Sequence, residues 1–412
     1  MNEKMYRISG DRFIKSIEKY AKIGETENNG VTRLALTDDD LQVRKLFEKE
    51  CKELGLPVIY DDLGNMYATL AGTQTNLPPI VMGSHLDSVT KGGKFDGALG
   101  VLTGLEVVRT LLDYNVQPSS SIVIANITNE EGARFEPAMM SSGILSGRFD
   151  KEKMFQSTDN EGITFGEALN RSEYEGDSSN RLKEAAAFLE LHIEQGPILE
   201  SENIDIGIVE GVMGMVNYEI VIEGDSNHAG TTPMHLRKDA LFTANDLIQK
   251  LREDLSQLDE GLVYTIGRFH VTPNVHTIVP SKVVFTIEAR HKDEHVIEQV
   301  ENVITSSPSS IKPEGCSIAL NKQWDRNTVW FNKEIVKKIE ASCQHLNVSY
   351  RSMVSGAGHD SQFISTYIPT AMIFVPSING KSHSEDEFTP REDCVNGGNV
   401  MLQTVLELLN SK

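Results

Sequence analysis

Apolar positions near the N-terminus recur with helical spacing. Phe13, Ile14 and Ile17 share one face of Asp11–Tyr20, and a second amphipathic run, entered at Asp38–Asp40, carries Leu41, Val43, Leu46, Phe47 and Leu54 before Gly55 and Pro57 end it. Pro57–Leu70 alternates on either side of Asp61–Asn65 and predicts a hairpin. Pro79–Met82 and Ser121–Ala125 read as short buried strands, and Gly97–Leu112 between them as a helix leaving a glycine-rich loop. Ser157–Lys183 is polar and predicts surface helices and loop, whereas Phe188–Ile193 is apolar. Near Gly211 the pattern changes. Tyr218–Glu223, Leu262–His270 and Val283–Ala289 predict strands, and Asp239–Leu255 and Glu294–Thr305 predict helices, an order of β-α-β-β-α.

This alternation predicts an α/β protein with a mixed sheet, in which ligands sit beyond the carboxyl ends of the strands. The segment after Phe331 repeats the character of the first half. We therefore expect a discontinuous domain, residues 1–212 and 327–412, interrupted by a smaller α+β domain at 213–326. The length of 412 residues agrees with two cores, since a single core stops growing at roughly 250–300 residues.

Composition narrows the function classes. A formal net charge of −21 argues against nucleic acid or an anionic membrane surface as partner, while leaving room for a locally positive pocket. Cys51, Cys316, Cys343 and Cys394 are scattered, which argues against a disulfide scaffold or a cysteine-rich metal site. With no apolar run long enough for a membrane span or a signal peptide, a cytoplasmic protein is expected.

Chemistry-bearing residues gather where the predicted strands end. A lone histidine is more often a surface or satisfied residue than a ligand, so context has to separate the eleven present. His85 follows the strand ending at Met82, and Asp87 two positions on would face the same side and orient its ring. Asp96 precedes a helix and reads either as its N-cap or as a ligand. Glu130 and Glu131 are either a solvated loop or a pair in which one carboxylate binds metal and the other holds a water proton. With His192 and His383, the residues His85, Asp96 and Glu131 form a mixed nitrogen and oxygen set large enough for two metal ions. Its chemistry suits zinc, manganese or cobalt.

The ordered series GSHLDS, GGKFDGALG, NEEGARF, ELHIEQGP, HAGTTPM and SGAGHDS with NGKSHS resembles the M20 peptidase superfamily over about residues 30–405. Within it the chain most resembles the ureido and carbamoyl amidohydrolase branch. That resemblance implies a zinc-aminopeptidase-like α/β domain interrupted by a lid domain that also forms a homodimer. It implies two divalent metal ions per subunit, zinc or manganese, with cobalt or nickel as alternatives. His85 and His192 would bind one ion, Glu131 and His383 the other, and Asp96 would bridge them. Asp87 matches the acid that orients histidine, and Glu130 the general base. His228 matches a lid histidine that polarises the substrate carbonyl in the partner subunit's site. Gln195, Arg290 and the backbone at Gly358 match substrate-holding positions.

One departure from the branch falls at Thr277, where an asparagine is usual in an N-x-x-P element; His276 and Asn274 stand nearby. The segments DSNHAGTTPM, YRSMVSGAGHDSQ and FVPSINGKSH look closest to allantoate amidohydrolases, with N-carbamoyl-L-amino acids as the alternative substrate class. QGP after His192 speaks for the ureido branch over a peptidase. A non-catalytic binding protein on this fold would be marked by loss of Glu130 or of a ligand, and all are present.

Overall fold

The computed structural model describes residues 6–410. Along the chain the strands are β1 (Val58–Tyr60), β2 (Met66–Leu70), β3 (Ile80–His85), β4 (Ile122–Ile127), β5 (Ala187–Ile193) and β6 (Ile206–Val212). There follow β7 (Gly214–Glu223), β8 (Val263–Thr265), β9 (Phe269–Thr272), β10 (Lys282–His291), β11 (Ser317–Arg326), β12 (Val329–Trp330), β13 (Tyr350–Ser355) and β14 (Thr370–Val375). The chain separates into two compact units, one running up to Gly211 and again from Trp330, the other spanning Val212–Val329.

The larger unit is built on a nine-stranded mixed sheet, ordered β1-β2-β4-β3-β5-β14-β6-β12, with β13 beside β6. Its centre is parallel: β3 pairs with β4 and β5, and β5 with β14. Every residue of β3, β4, β5 and β14 is buried, because helices cover both faces of such strands, and continuous apolar runs result. The helix Asp38–Glu53 buries Val43, Phe47 and Cys51 at helical spacing, and beside them the ion pair Asp40–Arg44 at 2.7 Å. Residues 157–183, read as surface, also contribute core. Phe165, Ala168 and Leu169 are buried with Phe135 and Met140, because the short helix Phe165–Arg171 turns one apolar face inward.

The smaller unit is a five-stranded antiparallel sheet, β11-β7-β10-β8 with β9 also on β10. One sheet face packs Val216, Tyr218, Ile220 and Ile222 against the helices Ala240–Leu255 and Glu294–Ser306. Where one strand was expected over Leu262–His270, two form. Thr265 pairs with Glu288 and Phe269 with Phe285, so four steps on one side match three on the other. The extra residue, beside Gly267, makes a bulge that breaks the strand.

Candidate active site

The four parallel strands all point one way, and their carboxyl ends carry the site. His85 ends β3, Glu130 and Glu131 follow β4, His192 is the penultimate residue of β5, and His383 lies in the loop after β14. Asp96 sits in the loop leading from β3 into the helix Ala98–Asp113. That helix is capped by Gly97 with no side-chain bond, so the Asp96 side chain is not its N-cap. Gly97 adopts φ 63°, and a Cβ there would stand 2.3 Å from the His85 ring. The glycine lets the loop close over the imidazole.

Asp96 is the centre of the cluster. Its Oδ1 lies 3.1 Å from His192 Nε2 and 3.7 Å from His85 Nε2, while its Oδ2 lies 3.4 Å from His383 Nε2. His383 Nε2 is also 3.4 Å from Glu131 Oε2. Among the described residues, potential ligand atoms within 4.8 Å of one another form the groups His85–Asp96–His192 and Asp96–Glu131–His383, which share one carboxylate, and a third, Glu190–His192–His359, behind His192. Glu130 Oε2 stands 3.6 Å from His85 Nε2. Gln195, whose own φ is 58°, donates its amide to Asp96 Oδ2 at 2.9 Å and to Ser382 Oγ at 3.1 Å.

The tautomers suit ligation. His85 Nδ1 bonds to the Asp87 carbonyl at 2.9 Å and His192 Nδ1 to the Ile193 carbonyl at 3.0 Å. In a neutral ring with its proton held on Nδ1, each Nε2 would offer its lone pair to a cation beside Asp96. Asp87 orients His85 through its main chain, its carboxylate being 4.0 Å from the ring nitrogen. The strand ends at His85, so alternation no longer directs the Asp87 side chain to the ring. That carboxylate instead accepts the main-chain N–H groups of Glu130 and Glu131, each at 3.3 Å, and so shapes the turn that presents both glutamates.

Burial and mutual repulsion set the charges. Burial pushes Glu130 well above the usual carboxylate range, helped by the charges of Asp360 and Glu131, and burial with Asp96 and Asp87 does the same to Glu131. Burial also lowers His85 to about 4, which keeps it neutral. For His192 burial favours the neutral ring too, but the bond to Asp96 and its charge win and lift it to about 9. Asp96 is held well below its ordinary range by His192 and His383 against the cost of burial. Among the described residues Glu131 Oε1 is buried with no hydrogen-bond partner. Imidazole nitrogens and carboxylate oxygens converging in this way, one of them unsatisfied, fit divalent cations of the zinc and manganese type.

The smaller unit carries the other expected residues. His228 is exposed, in a loop tied to the segment 277–279: Ala229 N–H bonds to the Thr277 carbonyl and Val279 N–H to the Asn227 carbonyl, both at 2.8 Å. Gly230 N–H donates to His228 Nδ1 at 3.0 Å, which in the neutral ring leaves the proton on Nε2, a donor. Arg290 lies on the sheet face away from the helices, held by Glu288 at 2.6 Å. Gly358 lies in the loop after β13, which continues into His359, and His359 packs edge-on against His192 with centroids 4.5 Å apart.

Sequence reasoning missed Glu190 and Glu387. Glu190 is a buried acid two positions before His192, and Ser84 donates to it at 2.6 Å. A carboxylate inside the apolar run Phe188–Ile193 was the available signal.

The model of peptidase family M20/M25/M40 matches residues 81–407. An N-carbamoyl-L-amino-acid amidohydrolase of Rhizobium meliloti is 38% identical over 97% of both chains. An allantoate amidohydrolase of Bacillus subtilis is 34% identical over 90% of this chain and 91% of its own. A hydantoinase/carbamoylase family amidase of Burkholderia multivorans superposes with a TM-score of 0.93 at 37% identity, covering 99% of this chain and all of the other. With the ordered motifs and the strand-end cluster, these likenesses show that the chain belongs to peptidase family M20/M25/M40, in its branch of amidohydrolases that cleave carbon–nitrogen bonds other than peptide bonds.

Proposed function

We propose that the chain hydrolyses the ureido C–N bond of a small, carboxylate-bearing carbamoyl compound, and that His85, His192, Glu131, His383 and the shared Asp96 would hold two divalent ions for it. The observation that carries this reading is Asp96, which turns one oxygen to each histidine group, with Glu130 left over beside it. When bound, zinc or manganese at these residues supplies Lewis-acid polarisation of the scissile carbonyl and acidifies the attacking water. Glu130 takes the proton of that water and returns it to the leaving nitrogen as the C–N bond breaks. A carboxylate that burial pushes above its usual range holds a proton more readily than an exposed one, which suits a group that takes a proton and passes it on. The carbamic acid released decomposes to ammonia and carbon dioxide. Asp87 keeps the Glu130–Glu131 turn and the His85 tautomer in place.

In this reading Val212–Val329 acts as a lid and a dimerisation unit. His228 of the partner subunit donates its Nε2 proton to the developing oxyanion, a contact whose loss costs about 10²–10³ in rate. Arg290 forms a forked pair with the substrate carboxylate, and Thr277, Gln195 and the Gly358 backbone are further substrate-holding positions. The location is the cytoplasm.

Two substrates divide the proposal. Motif likeness favours allantoate, and the relative at 38% identity favours an N-carbamoyl-L-amino acid. Ammonia release is measured from allantoate, N-carbamoyl-L-methionine and a dipeptide with added Mn²⁺ or Zn²⁺. Turnover of either ureido compound and not the dipeptide is expected. No turnover of any of them with metal bound would favour a binding protein instead.

A further inference from the structure

Glu387 has no part in the chemistry above, yet its side chain joins two parts of the site that lie far apart in sequence. The residue is 4% exposed and follows His383 by four positions, at the end of a turn closed by its own N–H on the Ser384 carbonyl. Its Oε1 accepts the main-chain N–H groups of Phe95 at 3.0 Å and Asp96 at 3.1 Å. Its Oε2 lies 3.2 Å from Ser382 Oγ, which itself lies 3.0 Å from Asp96 Oδ2. One carboxylate therefore grips the backbone that presents Asp96 and the hydroxyl next to His383. The space for it exists because residue 93 has no side chain: a Cβ on Gly93 would lie 2.0 Å from Glu387 Cδ and Oε1. Phe95 and Phe388 pack edge to face at 6.0 Å on either side of this contact, a second tie between the same segments that does not involve the carboxylate.

We propose that Glu387 is a positioning residue that sets the distance and orientation of Asp96 relative to His383, and with them the geometry of the metal pair. The inference rests on the reading of Asp96 and His383 as ligands. Its mechanism is hydrogen-bond geometry, not charge. A glutamine at 387 would offer an oxygen to the two N–H groups and an amide to Ser382 Oγ, so it should substitute. Alanine removes all three contacts. Alanine at 93 leaves Glu387 in the sequence but drives its carboxylate out of place.

The test is cobalt(II) titration of the chelator-treated full chain, followed by calorimetry and by the visible absorption of the bound ion, with thermal melts to show that each variant is folded. Wild type is expected to bind two ions. Glu387→Ala and Gly93→Ala should weaken binding of one ion about 10–100-fold and alter its absorption, the usual cost of losing a group that holds a ligand in place. Glu387→Gln should retain wild-type affinity. Should the alanine variant not fold, Glu387→Asp, which withdraws the carboxylate by one methylene, takes its place with the same expectation. Wild-type affinity and spectrum in the folded Ala or Asp variant would overturn the proposal, and so would a Gln variant as weak as the Ala variant. A wild-type chain that binds no cobalt would overturn the ligand reading as well.

Discussion

Glu130 and Glu131 are adjacent in sequence but are assigned opposite tasks, because their side chains reach different neighbours: Glu131 faces His383 and Glu130 faces His85. Glu130→Gln should keep its metal, measured by elemental analysis, and lose about 10²–10⁴ in kcat. Near-normal turnover would sink the general-base assignment. The motifs named the residues at the strand ends because buried strands finishing in polar clusters are visible in a one-dimensional pattern. They gave Asp87 a direct contact with His85 that it makes only through its carbonyl, since a side-chain direction past the last strand residue depends on the loop. Glu387 was invisible for a related reason: its partners lie 291 and 292 positions away, and no local spacing marks such a contact.

Among elements, the amphipathic helices and the fully buried parallel strands followed from apolar spacing. β11 did not. It is an edge strand whose apolar positions reduce to Ile318, Ala319, Leu320 and Trp324, and a bulge between Lys322 and Trp324 shifts its alternation. The break between β8 and β9 has the same origin, one extra residue against β10. The core of the smaller unit gives a stability prediction at this scale. Phe285 is fully buried on β10, stacked on Phe269 with centroids 6.0 Å apart. Phe285→Ala should destabilise the chain by about 3–5 kcal/mol in denaturant unfolding. A loss below about 1 kcal/mol would mean that this sheet face is not the core of the unit.

For the whole molecule, the formal charge of −21 omits any bound cation, and several of its acids lie in the site. In the metal-free chain burial pushes Asp87 and Glu387 each up to about 7, aided by Asp40 for the first and Asp96 for the second. Their unfolded values are about 3.9 and 4.3. A raised folded pKa gives stability that is complete below the unfolded value and is lost as pH rises through about 7. His192, raised to about 9, acts in the same sense at higher pH. His85, lowered to about 4, acts oppositely, but its stabilisation is almost complete above its unfolded value of about 6.5. The chelated chain should therefore melt lower at pH 8 than at pH 6, and added Mn²⁺ should raise the melting temperature more at pH 8. Equal melting temperatures of the chelated chain at the two pH values would contradict this account. The proposed exchange of His228 between subunits predicts that mixing inactive Glu130→Gln and His228→Ala chains restores part of the activity. Proven heterodimers without activity would count against it. The central claim is tested most directly by titrating the chelated enzyme with Mn²⁺ while following bound metal and ammonia release from a ureido substrate in the same sample. Two ions should bind per chain, with release rising as the second site fills; release that is independent of metal, or a chain that binds none, would contradict it.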